Sequence, residues 1–452
     1  MKKTGTEFLA LLSLVAALLV GGCAGGPQAG GAPAKAVVVL GDFESDAQLA
    51  DWSGGEGVKV ERVAEQATAG RYALRVTVPE NGTAGVECHP RDGDWSRFTS
   101  LRMNVVNPSP DRLVMALRVD DEKSTDYVSR YNWDDGSLVL LPGRNEVEVP
   151  MRALASGRPG SRGLDVSHIR AFLLFPLGNH PERAFYLDNV RLEALDLSKF
   201  PAKAMIEGFE GEGRLGLWQL SEGVEVTPAS EHHTEGSRSL RVRLPGGSWP
   251  GMSIFSLPRN WLPYDWLTLD VYNESDDVLA LGLWVRDGAD KVTVAMSLRP
   301  GANQFRIPMD LFSTLRLRRV SGLCLFVSQP APGTVIYVDN VRLEQEPVSS
   351  ATAQEFSALP GAPILTLDYT SLSAVARNTG FLANLYPKGG RQLLRLRPTD
   401  RAVVTQSLPV PVRDVEVSSF FLDHDTWFLD TRTVEITGSE ATLRYEPRDF
   451  AR

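Results

Sequence analysis

Two aspartates stand inside otherwise apolar strand-like runs of this 452-residue chain. "AFYLDNVRLE" (184–193) carries Asp188, and "VIYVDNVRLE" (335–344) carries Asp339. Period-two alternation groups Asp188 with Tyr186, Val190 and Leu192, and Asp339 with Tyr337, Val341 and Leu343. A carboxylate on an apolar face must be hydrogen-bonded, paired or metal-bound, because burying it alone is costly. Two readings follow. Backbone amides at a strand end or bulge would satisfy it, or it would join an oxygen-ligand Ca²⁺ site. The second reading needs another carboxylate, and each copy opens with one: Glu44 in "DFE" and Glu210 in "GFE". Pairing of first and last strands would bring Glu44 towards Asp188 and Glu210 towards Asp339.

Aromatic side chains supply the other recognisable chemistry. In "WLTLDVY" (266–272), Leu267, Leu269 and Val271 point one way, and Trp266, Thr268, Asp270 and Tyr272 the other. In "LALGLWVR" (279–286) the outward set is Ala280, Gly282, Trp284 and Arg286. The short "NESDDV" connection predicts a hairpin. Trp266, Asp270, Tyr272, Trp284 and Arg286 would then share one face, where rings stack on sugars and polar groups meet hydroxyls. The alternative puts both tryptophans under a loop or against a neighbouring domain. The matching positions of the first copy are polar: Ser100, Arg102, Asn104, Arg118 and Asp120. Its insert brings Tyr127, Tyr131 and Trp133, expected to close over that face, so Arg118 and Trp133 are the candidate contacts there. Trp52, Trp95, Trp218 and Trp261 recur at matching positions in both copies, which favours packing roles.

The elements that must position these residues come from a duplication. Trp52 and Trp218 lie 166 positions apart, and the same offset relates Gly70 to Gly236, Trp95 to Trp261 and Asn107 to Asn273. The offset drops to 158 at "LPGRNEVEVPM"/"RPGANQFRIPM" and to 151 at the DNV strands, so the first copy holds an insert near 121–136. Short alternating runs broken by Gly, Pro, Asn and Asp are strand chemistry. The expected fold is all-β: two tandem jelly-roll β-sandwiches, 37–197 and 203–346, followed by a linker (347–360) and a small β-rich domain or extension (361–452). Residues 1–23 read as a secretory signal whose "LVGGC" resembles a bacterial lipobox, making Cys23 a lipidation site. An ordinary cleaved signal is the alternative. Gly/Ala/Pro-rich residues 24–36 read as a tether to the envelope, at the outer membrane or cell surface. A net charge of −9 without a long basic run argues against a nucleic-acid partner. Cys88 and Cys324 fall in different copies and read as inert buried thiols.

Each copy resembles the galactose-binding-like jelly rolls, especially carbohydrate-binding modules of bacterial glycan-degrading systems. The resemblance is carried by "DFE"/"GFE", the following Trp, "YALRV"/"RSLRV", "FTSLRMNVVN"/"YDWLTLDVYN", the "PG.N" turn and the closing "DNVRLE". It implies a structural calcium held by Glu44 with Asp188, and by Glu210 with Asp339, with carbonyls near Gly70 and Gly236. It also implies a polysaccharide partner.

Catalytic signatures are scarce. The sequence has no G-x-S-x-G, HExxH, P-loop or Cys-x-x-Cys. "FLDHDTWFLD" (421–430) gathers Asp423, His424, Asp425 and Asp430, readable as a metal cluster or as a solvated acidic turn. The leading expectation is a non-catalytic, envelope-tethered, polysaccharide-binding lipoprotein. Its alternatives are an assembly lipoprotein that contacts envelope proteins through the same sandwiches, and a polysaccharide hydrolase or lyase.

Overall fold

The computed structural model describes residues 37–127, 129–134, 136, 138–156, 163–288, 290–345, 363–372, 382–387, 394–396, 403–407, 414–423, 426–446 and 449–450. Cys23, the 1–36 leader and tether, the 347–360 linker, His424 and Asp425 lie outside the described residues. The described residues form one compact unit.

Each copy is a sandwich of two antiparallel sheets, as the alternating runs require. In the first copy the sheet holding the DNV strand runs in the order Gly143–Pro150, Ser100–Asn107, Arg183–Glu193, Ala73–Val78, Lys59–Val63. Val37–Gly41 also pairs with Arg183–Glu193, so first and last strands meet as expected. The opposing sheet runs Trp52–Gly54, Val86–Cys88, Ile169–Pro176, Leu113–Asp121, Tyr131–Trp133. The second copy repeats this plan. Its DNV sheet is Glu225–Ala229, Ser239–Arg243, Val335–Glu344, Trp266–Asn273, Gly301–Pro308, with Lys203–Glu207 on the closing strand. Its opposing sheet is Trp218–Leu220, Gly251–Ile254, Gly322–Ser328, Leu279–Arg286, Lys291–Leu298.

That last sheet does not stop at the second copy. Thr426–Glu435 pairs in parallel with Lys291–Leu298, and Asp414–Asp423, Leu382–Pro387 and Leu394–Leu396 follow, giving nine strands in all. A three-stranded sheet, Val403–Ser407, Ile364–Asp368, Glu440–Arg444, accompanies the extension. Leu365, Leu367, Tyr369, Val415, Val417, Phe421 and Tyr445 form a core of their own there, while Phe420 and Leu429 join the core of the second copy. The C-terminal segment is therefore both a small packed body and an extension of its neighbour.

The inward residues are the expected ones. Trp52, Trp95, Trp218 and Trp261 are all buried, the first two in the core of the first copy and the last two in that of the second. Trp52 meets Phe43 and Phe172 edge-on at 5.2 and 5.5 Å. Cys88 and Cys324 are free and buried, and burial pushes both thiols up, as inert thiols require. Polar contacts join the two copies. Arg318 donates to Glu148 Oε1 (2.8 Å) and Glu193 Oε2 (3.2 Å), and Arg152 donates to the carbonyls of Tyr264 (2.7 Å) and Leu262 (3.1 Å).

Candidate functional site

The closing strands depart from simple alternation. Phe185, Leu187, Val190 and Leu192 face the core of the first copy, and Ile336, Val338, Val341 and Leu343 that of the second. The parity changes across Asp188–Asn189 and Asp339–Asn340, where the pairing register shifts at a bulge. Asn189 (φ 51°) and Asn340 (φ 55°) take the left-handed conformation that the bulge needs. Asp188 and Asp339 thus do not share a face with Val190/Leu192 or Val341/Leu343, contrary to the alternation. They lie on the outer side of the sheet and are buried by a loop laid over them.

That loop is what they hold. Asp188 Oδ2 accepts from the amides of Thr68 (2.6 Å) and Ala69 (2.8 Å) and from Thr68 Oγ1 (2.8 Å); Oδ1 accepts from the amide of Asn189 (2.6 Å). Asp339 repeats the pattern with the amides of Thr234 (2.7 Å), Glu235 (2.9 Å) and Asn340 (2.7 Å). The opening glutamates grip the next turn of the same loop. Glu44 Oε1 accepts from the amides of Arg71 (2.7 Å) and Tyr72 (2.9 Å), and Glu210 Oε1 from those of Ser237 (2.9 Å) and Arg238 (2.8 Å). The Ser237 amide, its hydroxyl and the Arg238 amide hold the Glu210 carboxyl below its ordinary range. Between the two grips sit Gly70 (φ 71°) and Gly236 (φ 62°), where a β-carbon would collide with the glutamate carboxylate.

Of the four residues expected to hold calcium, each copy therefore sets its own two, Glu44 with Asp188 and Glu210 with Asp339, around one loop. As placed, the oxygens named above accept from N–H and hydroxyl donors, and the burial of Asp188 and Asp339 is met by those hydrogen bonds, while Glu44 and Glu210 are exposed. Among the described residues, no group of three or more His, Cys, Asp or Glu is gathered as a metal cluster.

The expected aromatic platform does not form. Trp266–Asn273 pairs with Gly301–Pro308 and Val335–Glu344, whereas Leu279–Arg286 pairs with Lys291–Leu298 and Gly322–Ser328. The "NESDDV" connection crosses from one sheet to the other instead of closing a hairpin. Leucines and valines of both strands face one shared core, so the outward sides lie on opposite faces of the sandwich. Trp266 is 2% exposed, with the Arg306 guanidinium 4.6 Å from its ring. Asp270 is buried and bonded to Thr234 and Asn340, which takes it away from any hydroxyl ligand. Tyr272 lies on the same outer face, with the His232 ring stacked at 3.5 Å and Tyr337 edge-on at 6.2 Å.

Trp284 and Arg286 lie on the other outer face, in company that the sequence reading missed. The Phe326 ring crowds Gly282, and the Phe255 ring Gly322; a β-carbon at either glycine would collide with the ring. Phe255 is 6.3 Å from Trp284 and 6.0 Å from the Arg286 guanidinium, which also donates to the Gly288 carbonyl (2.9 Å). Phe255 is 40% exposed, and Trp284, Phe326 and Arg286 are half-buried. Three rings thus line one stretch of sheet surface. The signal that could have found them is the pairing of an outward Phe with an outward Gly on the adjacent strand.

The corresponding face of the first copy is different. The duplication places His89, Ala116, Arg118, Asp120, Ala171 and Phe175 where the second copy has Phe255, Gly282, Trp284, Arg286, Gly322 and Phe326. Arg118 forks onto buried Asp120, its Nε donating to Oδ1 at 2.8 Å, and Arg170 stands 3.6 Å from the same carboxylate. Hydrogen bonding to Asp120 raises the Arg118 guanidinium. Trp133 does not close over this face. It pairs across from inward Leu117 and packs on the core with Tyr131, because odd positions of Tyr131–Trp133 face inward. Tyr127 is exposed and donates to Asp134.

No family model matches the chain, and no curated protein matches it. Among solved structures, it is similar to the tandem CBM22-1–CBM22-2 domain from Paenibacillus barcinonensis: 16% identity over 70% of this chain and 100% of that one, TM-score 0.24. It is also similar to a family 11 carbohydrate-binding module from Clostridium thermocellum in complex with a β-1,3-1,4-mixed-linked tetrasaccharide. That match has 20% identity over 35% of this chain and 95% of that one, TM-score 0.27. A third, the CBM22-1 xylan-binding domain from P. barcinonensis, shares 18% identity over 32% of this chain and 94% of that one, TM-score 0.23. Likenesses of this size carry no weight on what this chain binds. The jelly-roll assignment rests on the sheets themselves.

Proposed function

We propose that this chain is a non-catalytic glycan-binding protein, and that it binds polysaccharide on the outer face of the second copy's long sheet. The observation behind this reading is the ring set Trp284, Phe255 and Phe326, present in one copy and replaced by Arg118, His89 and a lone Phe175 in the other. Packing alone gives no reason for the difference, since both scaffolds bury the same inward positions. A sugar ring offers apolar C–H faces that gain from flat contact with aromatic rings. Arg286 at the rim supplies donors for hydroxyl groups. The first copy, with its Arg118–Asp120 fork, serves as a spacer or takes a different, polar ligand. Lipidation at Cys23 would tether this body to the bacterial envelope through the 24–36 segment. Among the described residues no helix is long and apolar enough to cross a membrane.

The test is affinity electrophoresis of the full chain through a panel of polysaccharides, with reducing-sugar release measured alongside. Retardation without sugar release is expected. Trp284→Ala should weaken binding roughly tenfold, the value of about 1–2 kcal/mol for one partly exposed ring, while the melt stays put. Retardation unaffected by Trp284→Ala would move the site elsewhere. Absence of any retardation would hand the ring face to protein docking, and sugar release would make the chain an enzyme.

A further inference from the structure

The ring face of the second copy has two features that the first copy lacks: a fourth ring and an unbalanced positive charge. The ladder between Gly251–Ile254 and Gly322–Ser328 runs on beyond Gly251. The amide of Val327 donates to the Pro250 carbonyl (3.1 Å), and that of Gln329 to the Ser248 carbonyl (3.0 Å). Trp249 therefore stands opposite Ser328, and alternation turns it to the same side as Gly251 and Ser253. It is 69% exposed. Successive rows across the sheet then hold one ring each: Phe255 beside Gly322, Trp284 opposite Cys324, Phe326 opposite Gly282, and Trp249 opposite Ser328. Rows lie two residues apart along the strands, so this line of rings extends over about 20 Å. The first copy has His89, Arg118, Phe175 and Thr83 at the same positions.

At the Phe255 end, Arg286 and Lys291 face each other directly across the ladder, and like charges so placed repel. Lys291 is exposed, and Arg286 spends one of its donors on the Gly288 carbonyl. No outward residue of Gly251–Ile254, Gly322–Ser328, Leu279–Arg286 or Lys291–Leu298 is acidic. The acids of the adjoining turn are drawn elsewhere: Asp287 accepts from Arg316 (2.9 Å), and Asp290 acts on the same guanidinium. Asp430, on the strand beyond, is buried and held by Arg299 and Arg432 (2.7 Å each). In the first copy Asp120 stands in place of Arg286 and Glu87 in place of Ser253, and both have local partners, Arg118 and His89. We propose that the ligand of the ring face is an acidic polysaccharide, laid along the strands from Arg286 and Lys291 at one end to Trp249 at the other. This rests on the glycan-binding reading of that face and adds the class of glycan and its direction. An anionic substituent between the guanidinium and the ammonium gains charge-assisted hydrogen bonds, while the rings take the C–H faces of successive sugars. A net charge of −9 on the whole chain opposes general attraction to a polyanion, so the attraction has to be local.

The full chain is titrated by calorimetry with a polyuronate and a sulfated galactan, and with their carboxyl-reduced and desulfated forms, which keep the sugar faces and lose the charge. At least one acidic polymer is expected to bind about tenfold more tightly than its neutral form; which one does so tells carboxylate from sulfate. Arg286→Gln and Lys291→Gln should each remove most of that preference while the neutral affinity and the melt stay in place. Trp249→Ala should weaken the charged and neutral forms alike, by about tenfold. Charged forms bound no better than neutral ones, with Trp284→Ala still weakening both, would overturn the proposal and leave the glycan reading standing. No binding to any of these polymers or to the wider panel would overturn both. An acidic preference that survives both charge variants, or binding indifferent to Trp249→Ala, would overturn the proposal in favour of a chain that lies elsewhere.

Discussion

Asp188→Ala tests whether the DNV aspartate is a clamp on the 68–72 loop. Its carboxylate accepts four hydrogen bonds, three of them from Thr68 and Ala69. Bonds to a charged acceptor are worth about 1.5–3 kcal/mol each, and they do not add fully. Water reaches this loop once the carboxylate is gone, so only the two loop amides are counted, at the low end. That gives about 3 kcal/mol of lost local stability, or about a hundredfold in the local opening equilibrium. With three cores in one unit, a single melting temperature would blur the effect. Amide hydrogen exchange resolved to peptides is therefore the assay. Exchange of residues 68–72 should accelerate about a hundredfold, while the strand Ala73–Val78 and the second copy keep their protection. Chelator should leave the wild-type rates of this loop unchanged. A rise below about tenfold would refute the clamp. Acceleration spread through the whole first copy would show that Asp188 supports the core instead.

Gly70→Ala and Gly236→Ala should each destabilise their own loop by at least about 1–2 kcal/mol, since a left-handed backbone and a β-carbon collision act together; unchanged exchange at residues 71–72 or 237–238 would contradict this. Glu210 titrates below its ordinary value of 4.5 because Ser237 and Arg238 donate to its charged form. A lowered carboxyl contributes stability above the unfolded value and loses it as pH falls through the folded one. Protection of the 237–238 amides, corrected for intrinsic rates, should therefore hold from neutral pH down to about 4.5 and decline below it; Glu210→Gln should flatten that decline.

Much of this architecture was readable because duplication acts as an internal control. Positions kept in both copies, such as Trp52/Trp218 and Trp95/Trp261, proved to be core, as a residue serving packing in one copy must serve it in the other. Alternation also sorted Leu267, Leu269, Val271, Leu281, Leu283 and Val285 inward. It could not say which sheet each strand joins. Two strands linked by a short turn look alike whether they pair or face each other across a core, and Trp266 and Trp284 were separated by that ambiguity. The bulge at Asp188–Asn189 was hidden for a related reason. A period-two pattern carries no mark of the one residue that resets it, other than an Asn able to adopt positive φ. The rings of Phe255 and Phe326 were missed because their partners are glycines, whose absent side chains leave no hydrophobic signal.

The parallel seam between Lys291–Leu298 and Thr426–Glu435 covers what would otherwise be an open sheet edge. In the first copy the same flank of the sheet ends in two short strands, Tyr131–Trp133, contributed by the insert, and Val139–Leu140. Short, irregular strands offer little template for another chain. The second copy lacks the insert and ends its flank in a regular eight-residue strand. Left bare, that strand would present a row of amides and carbonyls to any passing copy. The C-terminal extension occupies it in cis, so one flank is blunted by an insertion and the other by a cover drawn from a later part of the same chain. Without residues 426–435 the second sandwich would keep an open border, a template on which another strand could pair.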